Sequence, residues 1–371
     1  MALFSPKQIL NTSWTVHRLS PLHHGKEYPT LLDNATALQT YADRLKETLT
    51  GDVLRGVQVG VTAAAAAYDD ALLKAGPLRQ CAWRVIPVWS HFREEDESLL
   101  DDPENTQPSV SPENALGILM ILEYENIVYK AALLAGPDGY HDDRKGSTYL
   151  PVLLTRLPNS LRQTLISFLA TNFDTYCTVL RLPPSFLCTA LETYISVLSP
   201  TRSRSRSSSS DSILEEVLKE TQLTLSFSSH VAPNLRTLDL NLPRATVSTF
   251  VAEGRKNART NSAPGQQRPF LNSLCAYIDK HLAMKLSLDD QSAEKGPSDY
   301  AKLTKVACGA FVLGAEGRMK LAADHGYPTP EDSRMEDDDP DEIRNRLLLQ
   351  ANEGILRALV HRAIPEHKKQ N

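Results

Sequence analysis

The sequence predicts an α+β protein of two lobes, in which mainly antiparallel sheets pack against helices. Segments that alternate strictly between apolar and polar residues occur in both halves of the chain, and segments with helical spacing lie between them. A serine and arginine tract without any apolar residue, 201–212, separates the two halves. We therefore predict an amino-terminal α/β lobe over residues 1–200, a Ser/Arg-rich linker over 201–212 and a carboxy-terminal α/β lobe over 213–371.

The first lobe begins with an alternating segment at 11–19, which we interpret as an edge strand before a turn. Helical spacing of leucine and tyrosine follows at 36–49, and alternation returns at 53–61, which predicts a helix and then a strand. Three antiparallel strands are predicted next, one in the tryptophan-bearing segment 80–92 and two in the apolar runs of 115–134.

The remainder of the first lobe is predicted as a strand at 150–157 and helices at 160–170 and 184–198. A proline at residue 184 favours a helix that starts there. Residues 92–112, between the predicted strands, are acidic and proline-bearing and have little apolar surface to bury. We predict a solvated loop there.

The second lobe starts with two strictly alternating segments, 222–228 and 235–242, which predict two strands. Helical patterns follow at 245–253 and 270–281, on either side of a polar stretch at 255–267. This half of the chain therefore has the order strand, strand, helix, helix.

Strand-like segments recur at 282–288, 300–313 and 317–323. The sequence Gly-Ala-Glu-Gly between the last two favours a tight hairpin turn. A second acidic loop is predicted at 325–339, before a final helix at 341–364 whose acidic amino end suits the helix dipole.

The charge of the chain argues against a protein that coats DNA through its overall charge. Lysine and arginine number 40 against 45 aspartate and glutamate residues, a formal charge of −5, whereas non-specific binding depends on neutralising many phosphates. Local basic clusters occur at 255–259 and 367–369. Solubilising surface charge is the default interpretation of these clusters, and a local phosphate contact is the alternative.

The cysteines and the amino terminus predict the compartment. The five cysteines are odd in number, widely spread and mostly in apolar runs, so we expect buried thiols in a reducing compartment. The amino terminus lacks the apolar stretch of a signal peptide, and no window is apolar enough to cross a bilayer. We expect a soluble intracellular protein without a membrane partner.

No sequence motif supports catalysis. The cysteines and histidines lack the pairing of a zinc site, phosphate-binding glycine loops are absent, and GxSxG does not occur. We predict no catalytic, metal-binding or cofactor-binding residue, and no cofactor. An enzymatic interpretation would depend on a pocket between the two lobes.

The linker contains candidate phosphorylation sites. Ser203, Ser205 and Ser207 alternate with arginines, and phosphorylation would invert the local charge. A flexible linker without modification is an equally good interpretation.

The segment NTSWTVHRLSPLHHGKEY at 11–28 resembles the amino-terminal signature of the centromere protein L family, a tryptophan-bearing strand that leads into a Ser/Thr-Pro-Leu turn. Its signature residues are Trp14, Leu19, Ser20, Pro21 and Leu22. Stretches 168–182, 223–227 and 300–323 resemble the family in the same order. The resemblance therefore covers both lobes.

The resemblance implies a non-enzymatic subunit of the constitutive centromere-associated network in the inner kinetochore, located at the centromere in the nucleus. It implies a heterodimer with a centromere protein N homologue, contacts with other inner-kinetochore subunits, and assembly on centromeric nucleosomes for chromosome segregation. Contact with DNA would be indirect or within the complex. Self-association of the isolated chain is left open.

The same resemblance implies curved antiparallel sheets and a partner-facing sheet in the carboxy-terminal lobe. An exposed sheet edge can be extended by a strand of another chain. The partner-binding residues that it predicts are Lys302, Thr304, Val306, Cys308, Phe311, Met319 and Leu321. The alternative function is a direct DNA-binding protein that uses a local basic concave sheet, which salt-dependent DNA affinity would reveal.

Overall fold

A computed structural model describes most of the chain. The described residues are 6–26, 28, 30–32, 34–55, 74–87, 115–136, 146–199, 208–227, 234–261, 268–282, 301–322 and 340–364. The predicted loops at 92–112 and 325–339 lie outside them, as do Ser203, Ser205 and Ser207. None of the described helices is both long enough and apolar enough to span a bilayer.

The α+β prediction is confirmed, and the chain forms two compact units. The first comprises Met1–Leu180 with Leu359–Asn371, and the second comprises Arg181–Ala358. The boundary therefore precedes the predicted limit at residue 200. The helix Pro184–Leu198, which we expected to close the first lobe, belongs to the second unit.

The first unit contains an antiparallel sheet. In spatial order its strands are β3, β4, β5, β7 and β1, with β8 on the other side of β1. A small separate sheet pairs β2 with β6. The strands are β1 Ser13–Leu19, β2 Leu22–His23, β3 Leu78–Pro87, β4 Ala115–Tyr124, β5 Val128–Leu134, β6 Ser147–Thr148, β7 Val152–Arg156 and β8 Cys177–Val179.

The predicted edge position of β1 is wrong, although the strand itself is confirmed. Arg18 is paired with Val152 on one side and with Thr178 on the other. β1 is therefore an interior strand, which explains why Val16 is fully buried and Trp14 nearly so.

Two helices of the described part of this unit pack against its sheet. They are α1, Ala35–Arg55, and α2, Asn159–Phe173. Buried aromatic rings from both helices and from β3 meet in the core, where the Tyr41 and Phe173 ring centroids are 4.4 Å apart. The predicted strand at 53–61 is wrong at its start, because α1 continues to Arg55, and its remaining residues lie outside the described ranges.

The described residues of the second unit form five antiparallel strands in the order β10, β9, β11, β12 and β13. They are β9 Thr221–Phe227, β10 Thr237–Leu242, β11 Ala301–Ala307, β12 Phe311–Gly314 and β13 Arg318–Leu321. The predicted hairpin is confirmed, since Gly317 N–H donates to the carbonyl oxygen of Gly314 at 2.9 Å and Gly317 has a φ of 81°. The single predicted strand at 300–313 is two strands, because the chain turns at 308–310.

Helices of the second unit pack beside this sheet and against one another. They are α3 Pro184–Leu198, α4 Ser208–Leu218, α5 Arg244–Asn261 and α6 Pro269–Leu282, followed by α7, Pro340–Ala363, of which the part up to Ala358 belongs to this unit. The predicted strand at 282–288 begins within α6, at Leu282, and its other residues lie outside the described ranges.

The Ser/Arg-rich tract is not a linker throughout. Residues 208–212 form the first part of α4, and 201–207 lie outside the described ranges. Serine and aspartate favour the start of a helix. Leu214 and Leu218, later in the same helix, are fully buried. Burial of this apolar face stabilises the helix, including the polar residues at its start.

Candidate partner-binding surface

The sheet of the second unit buries four of the seven residues predicted to contact a partner. Val306 and Leu321 have no exposed surface, Phe311 is 1% exposed and Met319 is 2% exposed. The Phe311 ring lies 4.7 Å from the Tyr194 ring of α3, centroid to centroid. These four side chains form the core of their own chain, so their prediction as contact residues is wrong.

A β-bulge explains the error at Val306. The register of β11 against β9 shifts between Leu303 and Lys305, so one extra residue enters the strand. A bulge of one residue moves the following side chains to the opposite face. Lys302 faces solvent before the bulge and Val306 faces the core after it, although the two lie an even number of residues apart.

The other three predicted residues are exposed or half-buried. Lys302 is exposed and Thr304 is half-buried, with its hydroxyl donating to the carbonyl oxygen of Thr224 at 3.1 Å. Cys308 is half-buried in the turn after β11, and its sulfur accepts the Phe311 N–H at 3.4 Å. Burial raises the pKa of the Cys308 thiol to about 11, so it remains protonated and is not a reactive thiolate at neutral pH.

The solvent-facing side of the same strands carries four cationic residues, which we call the basic face: Lys302, Lys305, Arg318 and Lys320. Strand pairing places Lys305 opposite Gly314, and Gly314 opposite Arg318, so these two cations lie in one row across the sheet. Glu316 lies 4.0 Å from Arg318, but both side chains are about 80% exposed, so the pair is weak.

Three residues of the basic face were not among the predicted contact residues. Arg318 and Lys320 alternate with buried residues on β13, whereas Lys305 lies between half-buried Thr304 and buried Val306 on β11. Strict alternation at 318–321 is visible in the sequence and could have identified Arg318 and Lys320 as outward-facing. Lys305 could not be assigned in that way, because the bulge precedes it.

β10 lies at one end of the described part of this sheet. It pairs with β9 from Thr237 to Leu242, and with no other strand among the described residues. Its outward-facing residues are polar, and Asp239 accepts a hydrogen bond from the Thr224 hydroxyl at 2.6 Å. Among the described residues, β10 is therefore an edge of this sheet to which another chain could be added.

The residues of the amino-terminal signature have structural roles in the first unit, in its core and in one of its turns. Trp14 donates its indole N–H to the carbonyl oxygen of Ile9 at 2.8 Å, and Leu19 and Leu22 are buried. Ser20 receives the backbone N–H of Tyr176 at its hydroxyl, at 2.8 Å, while Pro21 next to it is half-buried. This turn thus fixes the path of the chain between β1 and β2.

A shallow groove lies between α1 and α2 in the first unit. Its volume is about 450 Å³, and Phe168 and Asn172 are among its lining residues. Every other lining residue is a threonine, serine or glutamine, so none of them is an acid, a base or a metal ligand of the usual kind. Among the described residues, no group of three His, Cys, Asp or Glu side chains could hold a metal ion.

Comparison with known protein families assigns the chain to a class. A protein-family model described as Centromere protein L matches residues 8–364, nearly the whole chain. The match places the chain among the structural components of the inner kinetochore, the assembly at the centromere that serves chromosome segregation. The chain belongs to the centromere protein L family. No curated protein matches it.

Proposed function

We propose that this chain acts as a non-enzymatic subunit of the inner kinetochore that forms a heterodimer with a centromere protein N homologue. In this complex it contributes to assembly of the kinetochore on centromeric nucleosomes in the nucleus. Membership of the centromere protein L family is the observation that carries the proposal. Other inner-kinetochore subunits would bind to the resulting pair.

We further propose that the partner binds the solvent-facing side of the second unit's sheet. The basic face is exposed or half-buried, and its strands are held from behind by a continuous apolar core that includes Val306, Phe311 and Leu321. A sheet whose charged side chains face solvent can bind a partner without reordering of its backbone. Lys302 and Thr304 remain candidate contacts, whereas the buried side chains act only by holding the sheet.

The experiment is light scattering after size-exclusion chromatography, on the chain alone and mixed with the centromere protein N homologue. We expect a stable one-to-one complex. Replacing Lys302 and Lys320 by glutamate should weaken the complex at least tenfold, because the charge of the surface is reversed. The control is Arg346→Glu, a single charge reversal at an exposed position of α7.

The results separate two levels of the proposal. Absence of any complex at micromolar concentrations would overturn the heterodimer. A complex that forms equally well with Lys302→Glu/Lys320→Glu and with Arg346→Glu would retain the heterodimer and exclude the basic face as its interface.

A second candidate function, direct binding of DNA, is favoured by the basic face itself. Lys302, Lys305, Arg318 and Lys320 could each neutralise a backbone phosphate on one side of the sheet, even though the whole chain carries a formal charge of −5. This arrangement is the local basic sheet that the alternative requires.

Salt dependence tests the second candidate. If the basic face binds DNA, the logarithm of the affinity of the isolated chain should fall linearly with the logarithm of salt concentration, by roughly 0.9 for each phosphate neutralised. Replacing all four cations by alanine should lower that slope. An affinity that is absent, or a slope that this variant leaves unchanged, would exclude DNA binding by this face.

Phosphorylation of Ser203, Ser205 and Ser207 remains a proposal for the regulation of this subunit. The alternating arginines give each serine a basic neighbour, and α4 begins directly after them at Ser208. Phosphate near a helix amino terminus is stabilising. Mass spectrometry of the chain purified from dividing cells would test whether these serines are modified.

A further inference from the structure

The sheet of the first unit has a face that points away from α1 and α2. Met120 on β4 belongs to the core that these helices share with the sheet. Side chains alternate between the two faces of a strand, so Ile121, the next residue, points the other way. Strand pairing places Ile121, Lys130 and Arg156 in one row across β4, β5 and β7. We call these three residues, together with Val128, the outer patch.

Two cations of the outer patch lie directly opposite each other. Lys130 on β5 is the pairing partner of Arg156 on β7. Side chains in such positions have Cβ atoms roughly 5 Å apart, and like charges there are destabilising. Burial and the charge of Arg156 both lower the pKa of Lys130. Neither cation forms an ion pair within the described part of the chain.

Apolar side chains adjoin the two cations. Val128, two residues before Lys130 on the same strand, is 43% exposed, and Ile121, beside Lys130 on β4, is half-buried. The acid of this region, Glu123, is exposed and lies opposite Val128 rather than opposite a cation. Apolar contact next to positive charge suits a protein segment better than a nucleic-acid backbone, which presents phosphates without apolar side chains.

The repulsion between Lys130 and Arg156 is a cost that the free chain does not offset at this position. Natural sequences keep such local conflicts mainly at functional sites. Carboxylates placed over the two cations would replace the repulsion with charge-assisted hydrogen bonds, which are the stronger kind. The strand pairing thus holds two positive charges in position for a ligand with negative charges at a matching distance.

The row of the outer patch matches the repeat of a helix that lies across the strands. Neighbouring strands are roughly 4.8 Å apart. Residues one turn apart on a helix face have Cβ atoms about 5–6 Å apart. A helix in this orientation can place an apolar side chain on Ile121, a carboxylate on Lys130 one turn later, and a second carboxylate on Arg156 after one further turn.

We propose that the outer patch binds an acidic amphipathic helix of a protein partner, with the apolar turn of the helix on Ile121 and Val128 and two carboxylates on Lys130 and Arg156. The site is separate from the proposed heterodimer interface, which we assign to the sheet of the second unit. The proposal therefore does not rest on the heterodimer.

A fluorescently labelled helical peptide is the probe. It has about 16 alanine-rich residues and carries one leucine, followed by glutamates about four and seven residues later. Fluorescence anisotropy with the full chain measures its affinity. A second peptide with glutamine at the two glutamate positions keeps the shape and removes the charge. We expect the glutamine peptide to bind at least tenfold more weakly.

Substitutions in the chain locate the site. Lys130→Gln/Arg156→Gln should weaken binding of the glutamate peptide at least tenfold, because both positive charges are lost. The matched control is Lys26→Gln/Arg44→Gln, which removes one lysine and one arginine at exposed positions of the same unit. It should change the affinity by less than about twofold. Circular dichroism verifies that both variants keep the fold.

The repulsion can be measured in the free chain. Lys130→Gln should raise the midpoint of thermal unfolding more in the natural chain than in Arg156→Gln, because only the natural chain holds the opposing charge. Saturating glutamate peptide should raise the midpoint of the natural chain and leave that of Lys130→Gln/Arg156→Gln unchanged.

The contrary outcomes are distinct. No binding of the glutamate peptide, or equal binding of both peptides, would overturn the proposal. Equal affinity of Lys130→Gln/Arg156→Gln and the control would exclude the outer patch as the site. Equal effects of Lys130→Gln with and without Arg156 would remove the repulsion on which the proposal depends.

Two further results would assign the outer patch to another occupant and would also overturn the proposal. One is duplex DNA that binds the natural chain and loses affinity in Lys130→Gln/Arg156→Gln, while the glutamate peptide does not bind. The other is peptide binding that becomes at least tenfold tighter when the acids of 94–102 are replaced by their amides, which would identify the chain's own acidic segment as the occupant. None of these results bears on binding of the centromere protein N homologue.

Discussion

Tyr194 of α3 donates its hydroxyl hydrogen bond to the side-chain oxygen of Asn352 on α7, at 3.0 Å, in the core of the second unit. Asn352 has no exposed surface, and its side-chain nitrogen donates to the carbonyl oxygen of Ala322 at 2.9 Å. One buried amide thus joins two helices and the end of β13. A buried network of this kind is costly to break, since each group left without a partner loses its solvation as well.

The first prediction concerns this amide. Asn352→Leu should lower the free energy of unfolding by about 3 kcal/mol, because it leaves the buried Tyr194 hydroxyl without a partner and removes the hydrogen bond to the half-buried Ala322 carbonyl. Tyr194→Phe should cost about 1 kcal/mol. Urea unfolding followed by circular dichroism measures both, with the exposed Gln350→Ala on the same helix as control. Equal stability of Asn352→Leu and the control would contradict the role of the network.

The second prediction concerns the contact between α5 and α6. A Cβ atom added to Gly254 would lie 1.9 Å from the carbonyl oxygen of Pro269, which is backbone and cannot yield. Gly254→Ala should therefore lower the free energy of unfolding by about 3 kcal/mol. Gly354→Ala on α7 is the matched control: nothing lies within 4 Å of its new Cβ, so it should stabilise by up to about 1 kcal/mol. Similar effects of the two substitutions would refute the close approach.

The elements that were predicted well from the sequence are those whose alternation of apolar and polar residues continues without interruption from end to end. β9 and β10 alternate strictly and were placed to within two residues. The helix now called α1 was underestimated, because the three residues 53–55 were assigned to a strand. A short alternating run fits a helix end and a strand equally well, and only packing distinguishes them.

The candidate site was harder to predict, for a physical reason. The face that a strand residue occupies depends on its parity, and a bulge reverses parity without any fixed sequence signal. The bulge between Leu303 and Lys305 therefore led to the selection of the buried Val306. The position of β10 at the edge depends on strand order, which is set by contacts distant in sequence and cannot be obtained from local patterns.

The third prediction separates the core of the sheet from its surface. Phe311→Ala should lower the free energy of unfolding by about 4 kcal/mol, because a large fully buried ring is lost. Lys302→Glu should change it by less than about 0.5 kcal/mol, as expected at an exposed position. Thermal and urea unfolding of both variants provide the comparison. If Lys302→Glu destabilised the chain as much as Phe311→Ala, its effect on partner binding could not be attributed to the surface.

The fourth prediction follows from the buried carboxylate of Glu192 on α3, which accepts the N–H of Leu271 near the start of α6 at 2.8 Å. Burial raises the pKa of Glu192 to about 7, while that hydrogen bond and the cations Arg268 and Arg255 act in the opposite direction. The folded chain therefore binds a proton more tightly than the unfolded chain does. The stability that this proton provides is fully present below the ordinary carboxyl pKa of 4.5 and is lost as the pH rises to about 7.

Glu192→Gln isolates this effect, because the amide cannot titrate and has nearly the same shape. The free energy of unfolding of the natural chain, minus that of the variant, should fall between pH 4.5 and about 7 and become constant above. Urea unfolding at a series of pH values measures the difference. Other titrating groups, including His17, whose pKa burial lowers to about 4, are common to both chains and cancel. A difference that stayed constant, or that rose with pH, would show that Glu192 is charged throughout and that its interactions with Leu271 and the two arginines outweigh its burial.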